Sequence, residues 1–356
     1  MTTVPKTTTS NQNQQSISPQ VDEKMLLHLS TSPHIRQPMA VPEIMKWVIL
    51  ALMPAFVSSV IFFGWRSIML TVVSVGSAVG TEWFINKYFK RPCTIKDYSA
   101  VLTGLLLALN FPATLPWWTA VIGSVFAIAL AKLAFGGLGS NFINPALAGR
   151  AFLVASYPAA MTNFNAPFFG SISGIDGVSG ATPLSNIKDA FLAGNFDPQL
   201  FSSALRSLSI GNVGGCIGET SAIALLLGGL ILVWKRIIDI RIPLSYIGTV
   251  FILFWLSNGS GSFFNSASLI TPTYHVLAGG LLLGAIFMAT DMVTSPITPK
   301  GRIIFGIGCG VLTFTIRKFG GYPEGVTYSI LLMNLIVPLI DRYTRPKIYG
   351  EVMKRD

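Results

Sequence analysis

The stretch Asp176-Gly177-Val178-Ser179-Gly180-Ala181-Thr182-Pro183-Leu184 holds the residue types best suited to chemistry in this chain. A threonine hydroxyl preceded by Gly180 and Ala181 is sterically open to a modifying enzyme. Pro183 holds the residue before it extended. These features suit Thr182 as acceptor of a transferred phosphoryl group, although Asp-Gly and Ser-Gly pairs also make an ordinary turn. Other chemistry has thinner support. Cys93, Cys216 and Cys309 lie far apart with no CxxC spacing, so neither a disulfide framework nor a zinc site is expected. Histidines His28, His34 and His275 form no metal constellation. Four charged residues border apolar runs. Asp291 is either a costly buried carboxylate with a function, or a group that caps a helix or pairs with Lys300 or Arg302 in water. Arg150, in a short apolar run, needs a carboxylate or phosphate if buried, and otherwise snorkels to headgroups. Glu82 and Glu219, at the ends of runs, are expected to face water.

The elements that position these residues belong to a membrane. The chain has 356 residues, of which 51% are hydrophobic and 11% charged, and its mean hydropathy is +0.60. A soluble domain carries about 25% charged residues, so a soluble enzyme with a charged shell is excluded. A helical span needs about 20 apolar residues. Candidate spans are Ile44–Phe63, Ile68–Ile85, Ala100–Asn110, Trp117–Phe135, Asn144–Tyr157, Ser221–Ile237, Pro243–Leu256, Thr273–Ala289, Ile303–Ile316 and Val326–Ile340. Ala100–Asn110 and Asn144–Tyr157 are too short to cross alone. Their neighbours Pro112, Pro116, Gly137, Gly139 and Pro145 mark broken helices, which persist only inside a bundle or beside a cavity.

Net charge is +10. With the N-terminus cytoplasmic, and leaving the N-terminal tail and Arg150 out of the count, Lys and Arg are distributed fifteen inside to five outside, the inside set including Lys87, Lys132, Arg236 and Arg302. Arg317-Lys318 fits that distribution poorly. The tryptophans fall mostly near span ends, as an interfacial belt places them. Topology explains the basic balance, and no nucleic-acid partner is expected.

Gly104-Leu105-Leu106-Leu107 recurs as Gly280-Leu281-Leu282-Leu283, and Phe135-Gly136-Gly137 as Phe319-Gly320-Gly321. Five spans separate the copies, and an odd number reverses orientation. The expected fold is an all-α polytopic membrane protein of about ten transmembrane helices in two inverted five-helix repeats with short broken helices. The expected organisation is a disordered cytoplasmic tail over 1–40, a first membrane repeat over 41–158, an external loop over 159–218, a second repeat over 219–341 and a cytoplasmic tail over 342–356.

The string Asp176 to Thr182 resembles the flavinylation signal of bacterial membrane redox proteins. The resemblance extends through Leu107-Ala108-Leu109-Asn110, Phe135-Gly136-Gly137-Leu138-Gly139, Asn144-Pro145-Ala146 with Gly149-Arg150-Ala151-Phe152, Phe287-Met288-Ala289-Thr290-Asp291 and Gly301-Arg302-Ile303-Ile304-Phe305-Gly306. Together these are similar to the D subunits of Rnf electron-transport complexes and to the related B subunits of sodium-pumping NADH:quinone reductases. The short N-terminal region is nearer the former. Two positions depart from the common pattern. Asn141-Phe142-Ile143-Asn144-Pro145 stands for Asn-Pro-Phe-Asn-Pro, and Met292 follows Asp291 where proline is common.

The resemblance implies FMN attached covalently to Thr182 by a phosphoester, with Asp176, Gly177, Ser179, Gly180 and Ala181 forming the rest of the signal. It implies a flavin transferase for maturation, and a second, non-covalent flavin such as riboflavin in the membrane part. The chain would be one subunit of a redox-driven, ferredoxin- and NAD-linked translocase in the bacterial inner membrane, not catalytic alone, with the flavin loop external. Phe164, Phe168 and Phe169 would pack the ring or cover helix ends. The competing reading, from the inverted repeat alone, is a transporter for a small solute.

Overall fold

The computed structural model describes residues 40–92, 94–164, 167, 182–185, 187, 198–219, 221–257, 266–320 and 324–345. The N-terminal tail, nearly all of the C-terminal one, Asp176 to Ala181, Phe168, Phe169, Cys93, His28 and His34 lie outside these residues. The described residues are helical and contain no strand, only an isolated bridge between Pro112 and Cys216. Each expected span coincides with helix: α1 (Val41–Phe63), α2 (Trp65–Tyr88), α3 (Ser99–Leu109), α4 (Trp117–Leu133) and α5 (Pro145–Ser156) come first. α6 (Pro198–Ile210) lies in the stretch expected to be an extramembrane loop. Then come α7 (Ala222–Trp234), α8 (Arg241–Ser257), α9 (Ser266–Leu277), α10 (Leu281–Met288), α11 (Pro299–Phe319) and α12 (Val326–Thr344).

By length and composition α1, α2 and α12 can each cross a bilayer, and α9 with α10 can do so as one segment bent by 65°. The remaining apolar helices α3, α4, α5, α7 and α8 are shorter. Leu50, Val57 and Ile61 on α1 and Leu226 and Leu230 on α7 point outward. Such a surface suits hydrocarbon, where no hydrophobic force hides apolar side chains, so helices associate through close packing of small residues. A Cβ at Gly228 of α7 would overlap the Ala51 carbonyl oxygen of α1. One at Gly306 of α11 would overlap Ser245 Oγ of α8, and one at Gly310 would lie 2.6 Å from Thr249 Cβ. Gly64, at φ +64°, turns α1 directly into α2.

The interruptions matter most for function, because a helix end inside a membrane exposes backbone groups that need partners. At the end of α3, the Leu109 and Phe111 carbonyls accept from the Gly218 and Ile217 N–H groups at 2.7 and 2.8 Å. At the start of α5, Asn144 Oδ1 accepts from the Ala146 and Leu147 N–H groups at 3.0 and 3.4 Å, so the break keeps its cap despite the departure at Phe142-Ile143. The α9–α10 bend falls at Gly279, where φ is +70°. There the Arg317 guanidinium donates to the His275 carbonyl and, at 3.3 Å, to the Ala278 carbonyl. Arg317 is thus a buried clamp, which explains its poor fit as an external loop charge.

Residues Ala127–Leu133 of α4 and Gly284–Met288 of α10 are π-helical, a rare geometry that re-aims side chains and is frequent at functional sites. The repeated strings occupy different settings. Gly104 is in the body of α3, where a Cβ would meet Val75 Cα at 2.7 Å, whereas Gly280 sits in the α9–α10 bend. The two π stretches also fall on elements that do not correspond under the repeat.

Candidate functional site

Thr182 is held rather than loose. Its hydroxyl accepts from the Ser185 N–H at 3.2 Å and lies 3.0 Å from Ser185 Oγ, while Ser185 Oγ donates to the Thr182 carbonyl at 2.8 Å. This is the N-cap arrangement, a hydroxyl oxygen meeting an N–H three residues on, with Pro183 fitting the first helical position. The Tyr274 hydroxyl donates to the Pro183 carbonyl at 3.0 Å. Leu184, Ile187, Leu208, Tyr274 and Ala278 form a small apolar cluster beneath the turn. The turn is therefore fixed to α6 and α9.

Two small cavities meet at Thr182, of about 20 and 60 Å³. Leu208, Gly279, Glu219 and Glu324 line the first. Arg150, Val154, Met161, Phe164, Glu324 and Tyr328 line the second. Of the aromatic residues named above, the structure brings Phe164 to the site.

Between the cavities lies a charged network. Arg150 of α5 is buried, with 4% of its side chain exposed. Its Nη1 donates to Asn110 Oδ1 at 2.6 Å and to Glu219 Oε1 at 3.0 Å, and its Nη2 donates to Glu324 Oε2 and to Cys216 Sγ, the latter at 3.4 Å. Cys216 Sγ in turn donates to Glu324 Oε1 at 3.8 Å. Arg150 therefore takes the buried alternative, with carboxylate partners. Glu219 is also buried, not facing water. A carboxylate can leave water when a guanidinium and its hydrogen bonds replace hydration. Gly280 makes the space: a Cβ there would lie 2.5 Å from Glu219 Oε1. Cys216, Glu219 and Glu324 offer ligand atoms within 4.8 Å of one another, but the Arg150 guanidinium fills the position a cation would take.

A second buried pair lies elsewhere in the bundle. Lys132, on the π-helical part of α4, donates to Glu82 Oε2 at 2.9 Å and Ser99 Oγ at 2.8 Å. Thr94 Oγ1 donates to Glu82 Oε1 at 2.5 Å, and Asn86 Nδ2 donates to Thr94 Oγ1 at 3.0 Å. Lys132 thus points inward rather than into a cytoplasmic loop, and Glu82 is buried with it. Lys132 lines a cleft with Ser99, Asn141, Asn144, Thr290 and Asp291. Asn141 Oδ1 there is buried with no partner.

Asp291 pairs with neither Lys300 nor Arg302. It accepts from Thr294 Oγ1 at 3.1 Å and from the Val293 N–H at 3.5 Å, closing the turn after α10. Arg302 instead donates to Asp239 Oδ2 at 2.7 Å. His275 is buried against Phe254, with ring centroids 3.6 Å apart. Sequence reasoning missed Glu324, Asn110 and Cys216 as partners. The one local signal was Glu324 itself, an acid in the string Pro-Glu-Gly just before an apolar run.

The sequence model of the family described as "NQR2, RnfD, RnfE family" matches residues 28–350. The chain is 49% identical over 324 residues to the D subunit of the Na(+)-translocating ferredoxin:NAD(+) oxidoreductase complex of Acetobacterium woodii, covering 91% of this chain and 95% of that one. It is 46% identical to the D subunit of the proton-translocating ferredoxin:NAD(+) oxidoreductase complex of Clostridium ljungdahlii, covering 92% and 97%. It is 38% identical to the D subunit of the ion-translocating oxidoreductase complex of Vibrio atlanticus, covering 92% and 100%. With a family match over most of its length and relatives matched nearly end to end, the chain belongs to the NQR2, RnfD, RnfE family.

Proposed function

We propose that this protein is the D subunit of an Rnf-type ion-translocating ferredoxin:NAD oxidoreductase and that it carries FMN covalently on Thr182. The observation that carries the reading is Thr182 itself. It completes the string beginning at Asp176, stands where two cavities meet, and has beside it both apolar walls (Val154, Met161, Phe164) and a charged one (Arg150, Glu219, Glu324). These residues would flank a flavin tethered at Thr182, whose ring is larger than either cavity. FMN supplies electron transfer in one- and two-electron steps, while the protein positions the ring and sets its surroundings. Ser185 holds the acceptor hydroxyl in one orientation before attachment, and Asp176, Gly177, Ser179, Gly180 and Ala181 are the stretch a flavin transferase would read.

The cleft bounded by Asn141, Asn144, Thr290 and Asp291 is our candidate for a second, non-covalent flavin such as riboflavin. It offers polar partners among apolar walls, and the orphaned Asn141 oxygen is a hydrogen-bond acceptor awaiting a donor. The ten apolar segments would run as two inverted halves, with both termini cytoplasmic, the Thr182 loop external and the other subunits of the complex as neighbours in the inner membrane.

Ultraviolet fluorescence of the denatured, gel-separated chain, made together with its transferase, tests the proposal. A covalent flavin survives denaturation, so the band glows and Thr182→Ala is dark. A dark wild-type band would overturn covalent FMN on Thr182.

A further inference from the structure

The Arg150 network is asymmetric. One guanidinium serves two carboxylates, and the two differ in their access to water. The Glu219 side chain is 3% exposed and Arg150 4%, whereas Glu324 is 25% exposed. Glu324 lines both cavities that meet at Thr182, and Arg150 lines one of them. Glu324 is also fixed through its backbone, because Arg317 Nε donates to its carbonyl at 3.0 Å. Its carboxylate is therefore a positioned charge at the mouth of the site, not a mobile surface group.

We propose that Glu324, held by Arg150, is a positioning residue that sets how readily the Thr182-borne flavin accepts electrons. This deepens the FMN reading and rests on it. Reduction adds negative charge to an isoalloxazine ring. A carboxylate on the cavity wall opposes that charge, and the guanidinium behind it favours it, so the pair sets a balance. Neutralising Glu324 frees Arg150 from one of its two counter-charges and tilts the balance toward reduction. A unit charge about 10 Å away, in an effective dielectric near 20, changes an equilibrium by about tenfold.

The test is a spectroscopic redox titration of the purified, flavin-loaded full chain, comparing wild type with Glu324→Gln and Glu324→Asp, with gel fluorescence to report loading. The expected result is equal loading in all three and an equilibrium constant for two-electron reduction about tenfold higher in Glu324→Gln, an upward shift of ~30 mV. Glu324→Asp, which keeps the charge, stays close to wild type. Equal loading with an unchanged value in Glu324→Gln overturns the proposal. So does loss of flavin from Glu324→Gln but not Glu324→Asp, since the carboxylate would then act in attachment. A dark wild-type band removes the FMN reading and this one together, an outcome distinct from both.

Discussion

The two buried charge clusters are built on the same device and differ in stoichiometry. At Glu82 and Lys132 one anion meets one cation, with Ser99 and Thr94 hydroxyls taking up remaining hydrogen-bonding capacity. Both side chains are sealed, 2% and 0% exposed for Lys132 and Glu82. At Arg150 one cation serves two carboxylates, both of which line a cavity and one of which, Glu324, also reaches partial solvent. A saturated pair holds α2 to α4: Lys132 lines the cleft beside Asn141, but its charge is already matched by Glu82. An uneven one, opening toward a candidate acceptor hydroxyl, leaves charge able to act on whatever occupies the cavity. The comparison separates a fastening from a site more clearly than burial alone.

The largest effects should come from breaking each cluster at its cation. Lys132→Met strands Glu82, and Arg150→Met strands Glu219. Each is expected to cost roughly 3–5 kcal/mol, the penalty of an uncompensated buried charge, measured as loss of thermal stability in detergent. Double variants sharpen the contrast. Glu82→Met with Lys132→Met should recover most of the loss, because an apolar pair of similar volume replaces a closed ion pair. Glu219→Met with Arg150→Met should recover less, because Glu324 remains without its guanidinium. Equal recovery at both sites would show that the two clusters are equivalent.

A smaller effect is expected at the packing seams. Gly228→Ala forces a Cβ onto the Ala51 carbonyl oxygen and should destabilise by about 1–3 kcal/mol through overpacking, read as a lower unfolding temperature. At Thr182 itself, Thr182→Ala removes the hydroxyl that caps the short turn after it. The expected stability cost is only about 1 kcal/mol, together with complete loss of covalent flavin. That split between a small structural and a total chemical effect distinguishes it from the charge variants.

The smallest predicted effect lies at a half-buried pair near the helix ends, Asp239 with Arg302. Partial burial pushes the Asp239 carboxyl upward, but the Arg241 N–H and the Arg302 guanidinium outweigh it and hold the group below its usual range. A depressed carboxylate stabilises the fold fully above its unfolded value, about 3.9, and that contribution is lost as pH falls through the lower folded value. Asp239→Asn should therefore cost a few tenths of a kcal/mol at neutral pH. The gap from wild type should close below about pH 4 in a thermal-unfolding series.

The apolar helices were legible in the sequence because hydropathy is local: each apolar run from Ile44–Phe63 to Val326–Ile340 lies on helix, although among the described residues only three helices, or four with the bent pair, are long and apolar enough to cross a membrane. Thr182 was singled out as a candidate for the same reason, since its flanking residues alone carry the signal. The charge network was not. Arg150 meets Glu219 across 69 positions and Glu324 across 174, and Lys132 meets Glu82 across 50. No periodicity encodes such pairs. Glu82 and Glu219 therefore read as water-facing span ends, when each is buried because a cation arrives from a distant helix. Lys132 read as a loop charge because the π-helical turn that re-aims it leaves no mark in composition. Of the alternatives open for Asp291, pairing with Lys300 or Arg302 rested on proximity in sequence and does not occur: its own turn satisfies it and Asp239 takes Arg302.

The central claim is most directly tested by mass spectrometry of the peptide spanning Asp176 to Lys188, released from the active, purified complex. This peptide is expected to carry the mass of FMN less one water, localised to Thr182. Recovery of the peptide wholly unmodified from active complex would contradict it.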